Sequence, residues 1–221
     1  RIPNLLRRLF AEGSLSIAFI PVFTEYLERD GREAAFRFAR STLRLLSVIL
    51  VVVTVAGILL SPLLVRVIAP GFGDNPEKLA LTVTLTRITF PYIFFICLVA
   101  LCMGILNVLG HFAAPAVAPV FLNLAMIGSA LVISPRLEVP AVGLAIGVLI
   151  GGVCQLGIQL PVLAQKGFNF WKPAGLRHPG LVRVGRLMLP AVFGAAVYQI
   201  NILVGTLLAS LLPGGSVSYL Y

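Results

Sequence analysis

Arg7, Arg8 and Glu12 are ionisable side chains inside a stretch otherwise patterned as an apolar helix, Arg1-Ile-Pro-Asn-Leu-Leu-Arg-Arg-Leu-Phe-Ala-Glu-Gly-Ser14, continuing to Tyr26. At 100° per residue Asn4, Arg7, Arg8, Ala11, Glu12, Ser14 and Ala18 gather on one arc. Leu6, Leu9, Phe10, Gly13, Ile17 and Ile20 take the opposite face. Arginine presents a planar fork of donors that matches phosphate, so such an arc suits an anionic ligand. Arg8 and Glu12, four apart, can pair in the weaker orientation with the cation first. This leaves Arg7 beside the small residues Ala11, Ser14 and Ala18. Two readings fit this segment equally. Ionisable groups in a membrane helix mark a site facing the protein interior or water. A helix lying flat on the membrane surface shows the same pattern.

No other constellation carries chemistry. The sequence contains no His-Glu-x-x-His and no Gly-x-x-x-x-Gly-Lys. Cys97, Cys102 and Cys154 lie in apolar stretches without Cys-x-x-Cys spacing, which reads as buried thiols. His111 and His178 sit in separate loops, so neither a metal nor a cofactor is expected. Asn107, Asn123, Gln155, Gln159, Gln199 and Asn201 are the amides within apolar stretches. Each reads first as a helix–helix hydrogen bond. Gln155 and Gln159 share a face and could equally line a cavity. Nothing here points to an enzyme.

The elements that hold these residues are membrane helices. Of the 221 residues, 59% are hydrophobic and 11% charged, against about a quarter charged in a soluble domain. Mean hydropathy is +1.02. The expectation is an all-α polytopic bundle. Asp30-Gly31 reads as a turn, followed by a basic lead-in ending at Arg44 and an apolar run from Leu45 to Ile68. That run is long enough for ~30 Å of hydrocarbon. The segment from Ala69 to Pro76 reads as a loop. Further helices are expected at about Leu79–Leu109, Pro119–Ile133, Ala141–Leu163 and Pro190–Leu212, with His111 to Pro119 as a turn. Gly147 and Gly151 permit close helix contact. Arg87–Pro91 and Arg186–Pro190 share a spacing at two expected helix starts. The chain lacks an initiator Met and ends in Ser216-Val-Ser-Tyr-Leu-Tyr221, a helix start, which reads as a piece of a longer protein.

Net charge is +9, and its distribution gives orientation. Arg29, Arg32, Arg37, Arg40 and Arg44 form one basic cluster; Lys166, Lys172, Arg177, Arg183 and Arg186 form another. Counting crossings puts both on the same side, which the positive-inside rule makes cytoplasmic. The stretch Lys166-Gly-Phe-Asn-Phe-Trp-Lys172 mixes bases with aromatics, as an interfacial segment does. Nucleic acid ranks last among partners for such a chain. Arginine outweighs carboxylate at membrane depth, which favours an anionic or lipid-phosphate substrate over the cations of a multidrug antiporter. A scaffolding protein with no cavity remains the alternative of a different class.

Arg1 to Gly13, then Ala18-Phe-Ile-Pro-Val22 and Glu25-Tyr26, strongly resemble the MurJ/MviN family of lipid II flippases. Ala69-Pro-Gly-Phe72, Ile88-Thr-Phe-Pro-Tyr92, Ile105-Leu-Asn107, Pro115 to Asn123, Gln159-Leu-Pro161 and Gly215-Ser-Val-Ser218 extend the resemblance over the chain. The resemblance implies a transmembrane helix bundle of the multidrug/oligosaccharidyl-lipid/polysaccharide exporter superfamily, in the bacterial inner membrane. This chain would hold spans two to seven of fourteen: residues 1–163 in the N-terminal lobe, 164–186 as a cytoplasmic linker, and 187–221 opening the C-terminal lobe. The implied activity is movement of lipid II, the undecaprenyl-pyrophosphate-linked peptidoglycan precursor, between leaflets by alternating access. The family's cavity arginine falls on Arg7, while Asn4 and Glu12 match family positions and Arg8 adjoins them. Membrane lipids and other cell-wall synthesis proteins are the further partners it suggests. A related exporter of another polyprenyl-linked glycan is the alternative within the superfamily.

Overall fold

A computed structural model describes residues 14–70 and 75–210, and these form helices with no strand among them. In chain order they are α1 (Ser14–Arg29), α2 (Gly31–Ile68), α3 (Pro76–Thr89), α4 (Tyr92–Val108), α5 (Ala113–Gly128), α6 (Pro140–Gln165) and α7 (Pro179–Ser210). A π-helical turn at Ser129–Ile133 and a 3-10 turn at Ser134–Arg136 continue α5. Among the described residues, four stretches are long and apolar enough to cross a membrane: Gly31–Ile68, Pro76–Val108, Ala113–Arg136 and Pro140–Gln165.

The expected turn at Asp30 exists, with Gly31 at φ 82°, in the left-handed region open to glycine. The basic lead-in is not a loop, however. It is the first part of α2, whose 38 residues extend about 57 Å at 1.5 Å per residue. That is well beyond the hydrocarbon thickness. The helix changes its surroundings along its length. Ala35, Phe36, Phe38, Ala39, Arg40, Ser41 and Thr42 are buried by neighbouring protein. Farther on, Val48, Val52, Val55, Leu59, Leu63 and Val67 are exposed, as lipid-facing side chains should be.

Prolines account for the remaining differences from the sequence reading. Phe90-Pro91 divides the third expected helix, since α3 ends at Thr89 and Pro91 is the N-cap of α4. Asn75 caps α3 by accepting a hydrogen bond from the Lys78 N–H at 3.0 Å, with Pro76 at the first helical position. The helix expected from Pro119 is α5, and it starts at Ala113. Pro115 occupies its first turn, where the missing N–H has no intrahelical acceptor to lose, and Pro119 lies inside. Pro190 likewise lies inside α7, which begins at Pro179. The matching Arg–Pro spacings therefore do not mark equivalent helix starts, and the last eight residues of the expected linker are helical.

Helix α6 packs against α5 and its π turn through glycine. A Cβ at Gly151 would stand 3.0 Å from Leu122 Cα, and one at Gly147 would stand 2.7 Å from Ser129 Cβ. Ser129 Oγ also donates to the Gly143 carbonyl. The main core joins Phe19, Val22 and Phe23 of α1 to Phe38 of α2, Leu101 and Ile105 of α4, Leu163 of α6 and Phe168 beyond it.

Candidate functional site

The sequence places its candidate anion site on Asn4, Arg7, Arg8 and Glu12, which lie outside the described residues. The described residues that follow them in α1 show one buried and one exposed face. Ala18, on the arc with Arg7 by helical spacing, is fully buried, as are Phe19 and Phe23, and Val22 nearly so. Ile17, on the face opposite, is 64% exposed. Ala18 also belongs to the packed core, so at its level the arc is filled by protein and not by a cavity.

The second constellation lies where α2 begins, α6 ends and residues 166–178 connect α6 to α7. The two basic clusters meet here at one end of the bundle, as the charge distribution predicts. Arg44 donates to the carbonyls of Ala174 at 2.6 Å and Lys172 at 3.1 Å. Arg32 donates to the Lys166 carbonyl. Glu33 accepts from Arg40 Nη2 at 2.9 Å and from Lys172 Nζ at 3.3 Å. On α1, Glu25 pairs with Arg29 at 3.1 Å and with Arg183 of α7 at 2.6 Å. Arginine thus serves here as a donor to exposed backbone, and the segment is strapped to the bundle at several points. Spacing gave one signal for this: Glu33, Phe36 and Arg40 recur at three and four residues and share a helix face. Counting all five arginines only toward orientation hid the pairings.

Aromatic contacts complete the strap. Phe168 is buried, packing edge-on to Phe36 at 5.3 Å and to Phe170 at 4.8 Å. His178 lies 5.3 Å from the Tyr26 ring and 5.4 Å from Phe38, and its Nδ1 accepts from the Gly180 N–H at 3.2 Å. Burial, and then the nearby Arg37 charge, lower the His178 pKa below 6.5. Trp171 points outward, 93% exposed. A belt residue at the membrane–water interface has that position.

Gln155 and Gln159 do share a face, and both are buried. Neither forms the expected helix–helix hydrogen bond with its buried oxygen: Gln155 Oε1, Gln159 Oε1 and Gln159 Nε2 have no partner. Asn107 is half-buried, and Asn123 and Asn201 are exposed. No group of three or more metal-ligating side chains occurs among the described residues.

Comparison with known proteins covers the whole chain. The profile of the family described as Lipid II flippase MurJ matches residues 1–221. A probable lipid II flippase MurJ of Vibrio cholerae is 45% identical, over 100% of this chain and 43% of its own length. The lipid II flippase MurJ of Burkholderia cenocepacia is 41% identical over the same shares. A solved structure of lipid II flippase MurJ in an inward closed conformation superposes with a TM-score of 0.79 at 26% identity. It covers 99% of this chain and 44% of the solved one. The chain thus spans less than half the length of the relatives it matches.

Proposed function

The chain belongs to the Lipid II flippase MurJ family, and from that premise we propose that the protein it forms part of moves lipid II across the membrane. It is a multi-pass helical protein of the bacterial inner membrane, of a transporter family and not a catalytic one. In this reading Arg7 holds the pyrophosphate of the substrate, with Asn4 and Glu12 beside it, and Arg8 serves structure or the membrane boundary. Residues 1–163 belong to the first lobe, 164–186 to the cytoplasmic linker, and 187–221 to the opening of the second lobe.

The observation that carries the site assignment is the burial of Ala18. It supports an arc directed into the bundle, where an ionisable side chain is retained for a task. An arginine directed into a low-dielectric interior keeps its fork for an anion that brings its own acceptors. Glu25–Arg183 and the Arg44 contacts tie the proposed linker to the earlier helices.

The test is lipid II exposure at the outer leaflet in cells whose only flippase is the full-length protein. Arg7→Ala should abolish growth and exposure at matched protein levels, with Arg8→Ala much milder. Normal exposure in both variants would remove the anion-binding reading.

A further inference from the structure

We infer that Arg87 lines the outer part of the transport path and contacts the phosphate groups of the substrate there. The inference rests on the transport reading above and adds to it a residue outside the opening helix. Arg87 belongs to the last turn of α3, close to the Phe90-Pro91 break, and is exposed. Its guanidinium forms no ion pair or hydrogen bond with the described residues. Glu77, the carboxylate of its own helix, lies ten residues away, about 15 Å along the axis.

Two observations turn Arg87 toward water and not toward lipid. The first is the composition of its face. Helix α3 packs against α2 and α6, with Thr86 buried and the Phe90 ring in the space that a Cβ at Gly57 would need. The opposite face carries Ala80, Thr84 and Arg87, at helical spacing and all exposed. Among the described residues, no large apolar side chain from Pro76 to Val108 is exposed. The neighbouring spans differ, since α2 exposes Leu59 and Leu63 and α5 exposes Leu124. A face of alanine, threonine and arginine offers hydrocarbon nothing to cover. The second observation is the break itself. Pro91 has no N–H for the carbonyl of Arg87, four residues before it. Backbone interrupted at membrane depth occurs where it is buried in protein or lines a water-filled cavity.

Depth and chemistry name the ligand. The Pro76–Val108 span has 33 residues, about 50 Å of helix at the usual rise. Roughly 30 Å of hydrocarbon then leaves about 10 Å beyond each boundary. Arg87 lies about 16 Å from the start of α3, within the hydrocarbon layer on the side that the charge distribution makes outer. An ionisable side chain at that depth is retained for a task. Thr84 donates its hydroxyl proton to the Ala80 carbonyl at 3.0 Å, which leaves the guanidinium as the free donor of this face. Its planar fork matches phosphate oxygens. A lipid-linked pyrophosphate on its way to the outer leaflet is the anion that would meet it.

Cysteine labelling of a tagged, otherwise Cys-free full-length protein, expressed beside its natural copy, tests the face. Thr84→Cys should react with a negatively charged, membrane-impermeant methanethiosulfonate added outside. Its rate should exceed that of Leu59→Cys, at similar depth on the exposed face of α2, by about tenfold. Arg87→Gln should slow this reagent about threefold relative to its positively charged counterpart, and Arg87→Lys, which keeps the charge, should not. Thr84→Cys reacting no faster than Leu59→Cys is the result for an arginine that snorkels from lipid, and it would overturn the inference. So would a charge preference that Arg87→Gln leaves unchanged. In the purified protein, added lipid II should slow labelling of Thr84→Cys about threefold, and Arg87→Gln should remove that protection. Protection that survives Arg87→Gln would strike the contact. The transport reading is judged separately, by lipid II exposure in the Arg7 variants, so a failure at Arg87 is told apart from a failure of transport.

Discussion

Glu33 and Lys172 lie 139 residues apart in sequence and meet at 3.3 Å, joining the first turn of α2 to the segment that leads into α7. The contact is one of a set, with Arg44 holding two carbonyls of the same segment. An exposed ion pair contributes little by itself, whereas a half-buried arginine donating to backbone satisfies carbonyls that water would otherwise have to reach. Arg44→Ala should therefore loosen residues 166–178 more than Lys172→Gln does. Limited trypsin digestion of the full-length protein, followed at Arg177, should be several-fold faster in Arg44→Ala. Equal rates in the two variants would mean the backbone contacts do not hold the strap.

The meeting of the two basic clusters also predicts a side. Single cysteines at positions 138 and 177 of an otherwise Cys-free full-length protein should label oppositely. Position 138 should react from outside in intact cells, and 177 only after permeabilisation. Labelling of 177 from outside would reverse the orientation while leaving the helix packing untouched.

Glycine spacing in α6 was legible as a close-contact stripe, but its partner was not. A Cβ at Gly143 would stand 2.7 Å from Ser134 Cα, backbone that cannot swing aside, while one at Gly157 meets nothing within 4 Å. Gly143→Ala should cost roughly 1–3 kcal/mol. Gly157→Ala should be neutral or stabilising by about 0.5–1 kcal/mol, the helical advantage of alanine. Thermal stability in detergent separates them, and equal losses would contradict the packing of α6 on the α5 turn.

Sequence pattern reached the helices and the side on which charge collects because both depend on local composition. Prolines defeated it at α5 and α7. A proline looks like a boundary, and whether Pro119 and Pro190 sit inside a helix depends on neighbours that accommodate the freed carbonyl. The helical wheel of the opening segment groups Ala18 with the polar residues. It could not say that Ala18 faces the core, because the opposite face is apolar as well. Only the burial of Ala18 beside an exposed Ile17 distinguishes inside from lipid. The pairing of Arg40 with Glu33 shows the same limit: the spacing was visible, while the burial of Arg40 that makes it consequential depends on tertiary packing.

His178 gives a pH dependence whose sign follows from its surroundings. Its pKa is lowered from 6.5 in the folded protein, so the unfolded chain binds the proton more readily. Its contribution to stability is full above about pH 6.5 and is lost as pH falls below that value toward the folded pKa. Protonation also removes the Nδ1 acceptor of the Gly180 N–H. The melting temperature of the full-length protein should drop on acidification through this range, and His178→Gln should flatten that part of the profile. A wild-type profile unchanged by the substitution would show that the ring titrates without coupling to folding.

Lysine at position 7 separates charge from geometry in the proposed substrate contact. Arg7→Lys keeps the positive charge that draws a pyrophosphate. It loses the planar fork that holds two oxygens at once, and the ammonium head is more strongly hydrated. If attraction alone sufficed, the variant would move lipid II nearly as well as the natural protein. If the fork matters, loss should approach that of Arg7→Ala, where breaking one side of a desolvated charged contact costs about 2–5 kcal/mol. The measurement is lipid II exposure at the outer leaflet at matched expression, with Arg8→Lys as the companion. Arg8 has Glu12 within helical reach, and an ammonium can replace a guanidinium in such a pair with modest loss. A strong defect in Arg7→Lys beside a mild one in Arg8→Lys is the expected outcome. The opposite order would move the pyrophosphate contact to Arg8.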